Sequence, residues 1–182
     1  MELWDLYDEN RIKLGRTMVR GDKQPEGVYR IVVHACIFNS KGEMLIQQRQ
    51  PFKSGWSNMW DVTVGGSAVS GDTSQTAIER ELFEELGLET SFQGTLPALT
   101  VNVDGVFDDI YIAVRDDIDL SELKLQYSEV QTVKWACRDE IVAMINDGSF
   151  IPYTESFIDL LFFMRSNRGV RTKEDTSVPT EE

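Results

Sequence analysis

Histidine is nearly missing from this chain: His34 is its one copy in 182 residues. A metal site assembled from several imidazoles is therefore excluded. Cysteine is scarce as well. Cys36 and Cys137 both fall in apolar segments, with no CxxC and no zinc-ligand spacing, so they read as small buried thiols. No apolar run approaches the roughly 20 residues that a membrane span requires. The N-terminus, Met1-Glu2-Leu3-Trp4-Asp5, lacks a basic stretch followed by an apolar one. No secretory signal is expected, and a reducing cytoplasmic setting is the default. Positive charge is also in short supply. Eighteen Lys and Arg stand against 31 Asp and Glu, a formal net charge of −13. That argues against a non-specific binder of nucleic-acid polymers, which needs a basic footprint. It leaves room for a small anionic substrate, held by a few local cations and by metal on clustered carboxylates.

What is present suits one ordinary domain that buries its core without disulfides. Residues 1–28 read as an N-terminal extension. Its two short apolar pieces flank the turn-like Asp8-Glu9-Asn10, which predicts a β-hairpin over Leu3 to Val19. Residues 29–168 form the main domain, and 169–182 a charged tail expected to be disordered. Tyr29 to Phe38 is β-branched and nearly all apolar, as in a strand buried on both faces. Further strands are expected at Met44 to Arg49, Trp60 to Val64, Phe92 to Val103, Ile110 to Val114 and Val130 to Ala136. Helices are expected at Thr73 to Leu86, Arg138 to Asn146 and Tyr153 to Arg165. Strands mixed with helices that can cover both sheet faces give an α/β class, a sandwich around a mixed sheet. His34, inside its apolar strand, reads as a satisfied core histidine.

The helix over Thr73 to Leu86 carries the chemistry. Asp72 or Thr73 can cap it and Gly87 can end it. Ile78, Leu82 and Leu86 recur every four residues as a buried stripe. Glu81, Glu84 and Glu85 cluster on the opposite side at spacings of three and four. Like charges so placed repel by a few tenths of a kcal/mol per pair. Mg²⁺ relieves this, because it takes carboxylate oxygens and keeps waters and substrate phosphates in its shell. Arg80 stands four residues before Glu84 and can pair with it. An acidic helix face alone would be an ordinary solvated surface; its register decides otherwise.

Gly66 to Leu88, GSAVSGDTSQTAIERELFEELGL, resembles the Nudix box: Gly, five residues, Glu, seven residues, Arg-Glu-aliphatic-x-Glu-Glu-x-Gly-aliphatic. Gly66, Arg80, Glu81, Leu82, Glu84, Glu85, Gly87 and Leu88 fit in register, so eight of nine defined positions match. Asp72 stands where the pattern has Glu. It keeps the charge near a helix N-terminus and is not assigned as a metal ligand. The resemblance implies a Nudix-type α/β/α sandwich that binds Mg²⁺, or Mn²⁺, and hydrolyses a diphosphate linkage in a small molecule such as a nucleoside diphosphate derivative. Glu81, Glu84 and Glu85 are the implied metal ligands, and with Arg80 the implied catalytic set. A homodimer is what analogy with such hydrolases suggests.

Val32 to Trp60 is further similar to isopentenyl diphosphate isomerases, which share the fold, and the N-terminal hairpin fits that subgroup. The resemblance assigns the substrate diphosphate to Arg49 and Lys53, four residues apart; Arg suits bidentate phosphate contact and Lys a point charge. The isomerase chemistry is missing. Its Cys position holds Gly65, and two metal-histidine positions hold Ser67 and Arg30. A hydrolase is therefore expected. The alternatives are an isomerase-like enzyme and a non-catalytic nucleotide-sensing module, which would have no need to retain Glu84 and Glu85. Glu81, Asp108, Asp109 and Glu129 are the candidates for the general base. Phe52, Trp56, Trp60 and Phe107 are candidates for a flat or apolar pocket wall, although core packing is the commoner fate of such residues.

Overall fold

A computed structural model describes residues 2–167 and 169–171. Most of the expected tail lies outside the described residues. The N-terminal hairpin is present: β1 (Leu3–Tyr7) pairs antiparallel with β2 (Lys13–Val19) as a separate two-stranded sheet. It is tied to the body at several points. Tyr7 bridges Tyr29, Ser70 donates its backbone N–H to Leu3 O at 2.7 Å, and Asp5 accepts from Ser70 Oγ and the Gly71 N–H.

The main sheet has seven strands. They are β3 (Arg30–Phe38), β4 (Met44–Arg49), β5 (Trp60–Asp61), β6 (Val64–Ser67), β7 (Leu99–Val103), β8 (Val106–Val114) and β9 (Val130–Ala136). Its order is β5-β4-β3-β8-β7, with β6 also on β3 and β9 also on β4. The β3–β8 pair is parallel and the other pairs are antiparallel, so the sheet is mixed. Helix α1 (Ser74–Leu86) packs on one face. There Ile78, Leu82 and Leu86 join Val33, Ala35, Ile37 and Leu45, all fully buried. Helices α2 (Arg138–Asn146) and α3 (Glu155–Met164) cover the other, where Ile141, Ile158 and Leu161 meet Cys36, Phe38, Met44 and Ile46. This is the expected α/β/α sandwich: alternate residues of β3 and β4 supply two cores on opposite faces.

Four expectations need correction. The strand expected over Ile110 to Val114 begins earlier, at Val106. The strand expected over Phe92 to Val103 begins only at Leu99, because the polar residues around Gly94 break the extended run. Trp60 to Val64 divides into the whole of β5 and the first residue of β6, and Thr63 between them caps neighbouring backbone: its hydroxyl donates to Leu45 O and accepts from Ile37 N. Cys36 is buried, whereas Cys137 is exposed. It occupies the N-cap position of α2, at the surface end of a helix.

Candidate active site

Helix α1 is placed by both of its ends. Thr73 caps it reciprocally with Thr76, the side chain of each accepting from the other's backbone N–H, at 3.1 and 2.9 Å. Gly87 ends it at φ +67°, the left-handed conformation glycine adopts without strain, with Leu88 N bonded back to Leu82 O. Between these stops the apolar stripe fixes the rotation of the helix. That rotation turns Glu81, Glu84 and Glu85 toward a cavity of about 790 Å³. Its volume is within the range of small-molecule sites.

The glycines of β6 make the close approach possible. A Cβ at Gly66 would lie 2.2 Å from the Glu81 carboxyl carbon, so a side chain at 66 would push the Glu81 carboxylate out of this position. A Cβ at Gly65 would lie 2.6 Å from His34 Nε2. Any side chain at 65, including the cysteine of the isomerase pattern, would have to displace that imidazole.

The glutamates differ sharply in environment. Glu84 is half exposed and lies 3.3 Å from Arg80. Glu81 is half-buried and accepts from Arg80 Nη1 at 2.9 Å. Arg80 also bonds Asp72 Oδ2 at 3.0 Å and the carbonyl of Ser67, so it knots the box loop to the helix. Asp72 spends its carboxylate on Arg80 and on the Val69 N–H. Glu85 is only 5% exposed, and its hydrogen-bond donor is Gln47 at 3.1 Å. Burial, and next the Glu81 charge, push its pKa up to about 8; burial also raises that of Glu81. Among the described residues no three acidic, His or Cys side chains are already drawn together around one point, and Arg80 pairs with both Glu81 and Glu84.

The cations enter from other strands. Arg49, at the end of β4, lies 4.0 Å from buried Asp61 and donates Nε to Gly55 O. Lys53, in the loop that follows, is paired with Glu129. That loop carries Trp56 and Asn58 at φ +50° and +60°, conformations that residues with side chains seldom adopt. Trp56 lines the cavity. Phe52 is exposed and lies against Tyr127 with the rings tilted, Trp60 lies partly buried in the second core with Lys134 over its ring, and Phe107 is buried against Tyr29.

Sequence reasoning placed His34 in the core. Its face of β3 instead lines the cavity, because Arg30, Val32 and His34 alternate with buried Ile31, Val33 and Ala35. The histidine is satisfied all the same: Nδ1 lies 2.7 Å from Asp108 Oδ1. Its pKa is raised; burial opposes the proton and the Asp108 carboxylate more than offsets it. Asp109 must be withdrawn as a base. It points to the opposite side of β8, is completely buried, and accepts from Arg11, Ser74 Oγ and Thr100 Oγ. Arg20, Arg30 and Glu2 were not anticipated as cavity residues. The polar interruption of an otherwise apolar β3 at Arg30 was the available signal.

Comparison with known proteins gives the family and the fold. A family model described as the NUDIX domain matches residues 28–156. An uncharacterised Nudix hydrolase of Listeria monocytogenes is 43% identical over 166 residues, covering 91% of this chain and 96% of the relative. An isopentenyl-diphosphate Delta-isomerase of Streptomyces coelicolor is 33% identical over 89 residues, 49% of this chain and 45% of that protein. The crystal structure of DR0079 from Deinococcus radiodurans superposes with TM-score 0.68 at 26% identity, covering 90% of this chain and 98% of that one. This chain belongs to the Nudix hydrolase family, whose members hydrolyse nucleoside diphosphates linked to another group.

Proposed function

We propose that the cavity hydrolyses a diphosphate linkage in a small molecule with Mg²⁺, or Mn²⁺, held by Glu81, Glu84 and Glu85. One observation carries this reading: Glu85 is a buried carboxylate beside a second carboxylate, with a single neutral donor and no cation bonded to it among the described residues. A buried charge left so short of partners is costly. Three hard oxygen donors next to that deficit fit a hard divalent cation. When bound, such an ion polarises phosphoryl oxygens and lowers the pKa of a water.

The residues of the chain divide the remaining work. Arg80 orients Glu81 and Glu84 through its fork of bonds. Arg49 and Lys53 hold the diphosphate, Lys53 exchanging Glu129 for a phosphate oxygen. Freed Glu129 then joins Glu81 as a carboxylate facing the cavity that can take the proton of the attacking water. Asp108 is occupied by His34 and serves to orient it. The whole is read as one catalytic domain, residues 29–168, with the hairpin of 1–28 as an extension and 169–182 as a tail. The isomerase alternative is disfavoured by the imidazole edge that fills the space at Gly65.

The test is turnover of nucleotide sugars, dinucleoside polyphosphates, nucleoside triphosphates and prenyl diphosphates by the purified protein with Mg²⁺ and with Mn²⁺. Hydrolysis of at least one, abolished by EDTA, is expected. Arg49→Ala should then raise KM or lower kcat strongly, and an unchanged kcat/KM would remove Arg49 from the site. Conversion of isopentenyl diphosphate to its isomer would overturn the hydrolase reading.

A further inference from the structure

Among the described residues Arg30 is the cavity cation left without a counter-ion. Among the described residues the other cavity arginines and lysine each have a carboxylate within 4.0 Å: Arg20 with Glu2 at 2.8 Å, Lys53 with Glu129, and Arg49 with Asp61 at 4.0 Å. Arg30 has none in that range. Asp108 attracts it from farther off but is bonded to His34. Burial, and then the like charge of Arg20, push the pKa of Arg30 down. A part-buried, uncompensated guanidinium destabilises a fold unless something offsets it.

This guanidinium is nonetheless carefully held. Nη1 donates to Ser67 Oγ at 2.9 Å, and Cζ lies 4.4 Å from the centre of the Trp4 ring. Trp4 is fixed in turn, its indole N–H donating to Glu2 Oε1 at 2.8 Å. Glu2 is also the partner of Arg20, so the hairpin fixes both the stacking ring and the second arginine. A guanidinium has five N–H donors in a planar fork, and the hydrogen bond to Ser67 uses one of them. The others remain for a ligand, and the fork suits phosphate. Arg30 and Ser67 occupy the two positions where the isomerase pattern has metal-binding histidines. Here they bond each other, and a fixed cation stands in that part of the cavity.

We propose that Arg30, oriented by Ser67 and Trp4, forms a second anion subsite that takes a phosphate group of the substrate other than the diphosphate assigned to Arg49 and Lys53. The two subsites arise from different strands, β3 with β6 against β4 with its following loop. The substrate class narrows accordingly to molecules with a phosphate beyond the linkage held at Arg49, such as a polyphosphate chain or a phosphorylated second moiety. This deepens the hydrolase reading and depends on the cavity being its substrate site.

The experiment uses the intact protein in EDTA, titrated with inorganic phosphate and followed by the Trp4 indole N–H resonance, assigned with Trp4→Phe. A saturable shift is expected. Arg30→Gln should weaken the apparent affinity by about tenfold or more, the scale of a charged hydrogen bond, and Arg30→Lys should fall between the two. Absence of a saturable shift, or the same affinity in Arg30→Gln, overturns the proposal. So does a shift that survives Arg30→Gln but is lost in Arg49→Ala, which would locate the anion at the other subsite. This titration needs neither metal nor turnover, so it stands even if the substrate panel finds no hydrolysis. With any active substrate pair differing by one phosphate, Arg30→Gln should cut the kcat/KM preference for the more phosphorylated member by about tenfold. An unchanged preference would show that the subsite does not serve the substrate.

Discussion

Asp109, packed against the start of helix α1, and Glu85, near its end, are both buried carboxylates, and they are treated in opposite ways. Asp109 receives a guanidinium and two hydroxyls, from Arg11, Ser74 and Thr100. Glu85 receives one amide from Gln47 and sits beside Glu81, with its pKa pushed up to about 8. The first is a completed bond network joining the hairpin, the helix start and the sheet. The second has a single neutral donor and lines the cavity. A fold has no use for a buried carboxylate with so few donors, whereas a metal site does. Burial alone therefore fails to separate structural from functional carboxylates; the count of donors separates them.

The largest expected effect is on turnover. Glu85→Gln and Glu84→Gln should each cost several kcal/mol of transition-state stabilisation on whichever substrate is active, read from kcat/KM. Wild-type turnover in both variants would break the comparison. Next comes stability. Asp109→Ala leaves the Arg11 charge and two hydroxyls without their acceptor, and should destabilise the fold by about 3–5 kcal/mol, measured by urea unfolding. Its activity per folded molecule should persist, since Asp109 faces away from the cavity. A large loss of kcat without loss of stability would instead return Asp109 to the site.

The third effect is smaller and opposite in sign. A raised carboxyl pKa disfavours the folded state wherever the unfolded carboxylate is ionised. For Glu85 in EDTA that penalty is absent below pH 4.5, grows as pH rises, and levels off above about 8. Glu85→Gln removes the charge, so the metal-free protein should gain on the order of 1 kcal/mol near neutral pH, with a smaller gain at pH 5. A loss of stability with no dependence on pH would show that Glu85 is as well partnered as Asp109. The smallest effect is at the helix start, where Thr73→Ala should cost about 1 kcal/mol of stability.

Much of this contrast was legible in the residues. The four-residue apolar stripe of α1, the threonine before it and the glycine after it fix which side carries the glutamates. The spacing from Gly66 to Arg80 then singles that face out from an ordinary acidic surface. Other features depend on the third dimension. Asp108 and Asp109 are adjacent and chemically alike, and only the pleat of β8 sends one to His34 and the other to Arg11. His34 looked like a core residue because β3 is apolar almost throughout, yet its alternate face is an open wall of the cavity. The contribution of Glu2, Trp4 and Arg20 was hidden because it arises from the packing of a hairpin far away in the chain. Arg49 and Lys53 do reach the cavity, where each faces a carboxylate already.

The account turns on Glu85 being a metal ligand in waiting, and Mn²⁺ binding followed by electron paramagnetic resonance tests this directly. Wild-type protein should bind Mn²⁺ and quench the free-ion signal, and Glu85→Gln should weaken that binding at least tenfold while keeping its fold. Equal Mn²⁺ affinity in the two proteins would contradict it.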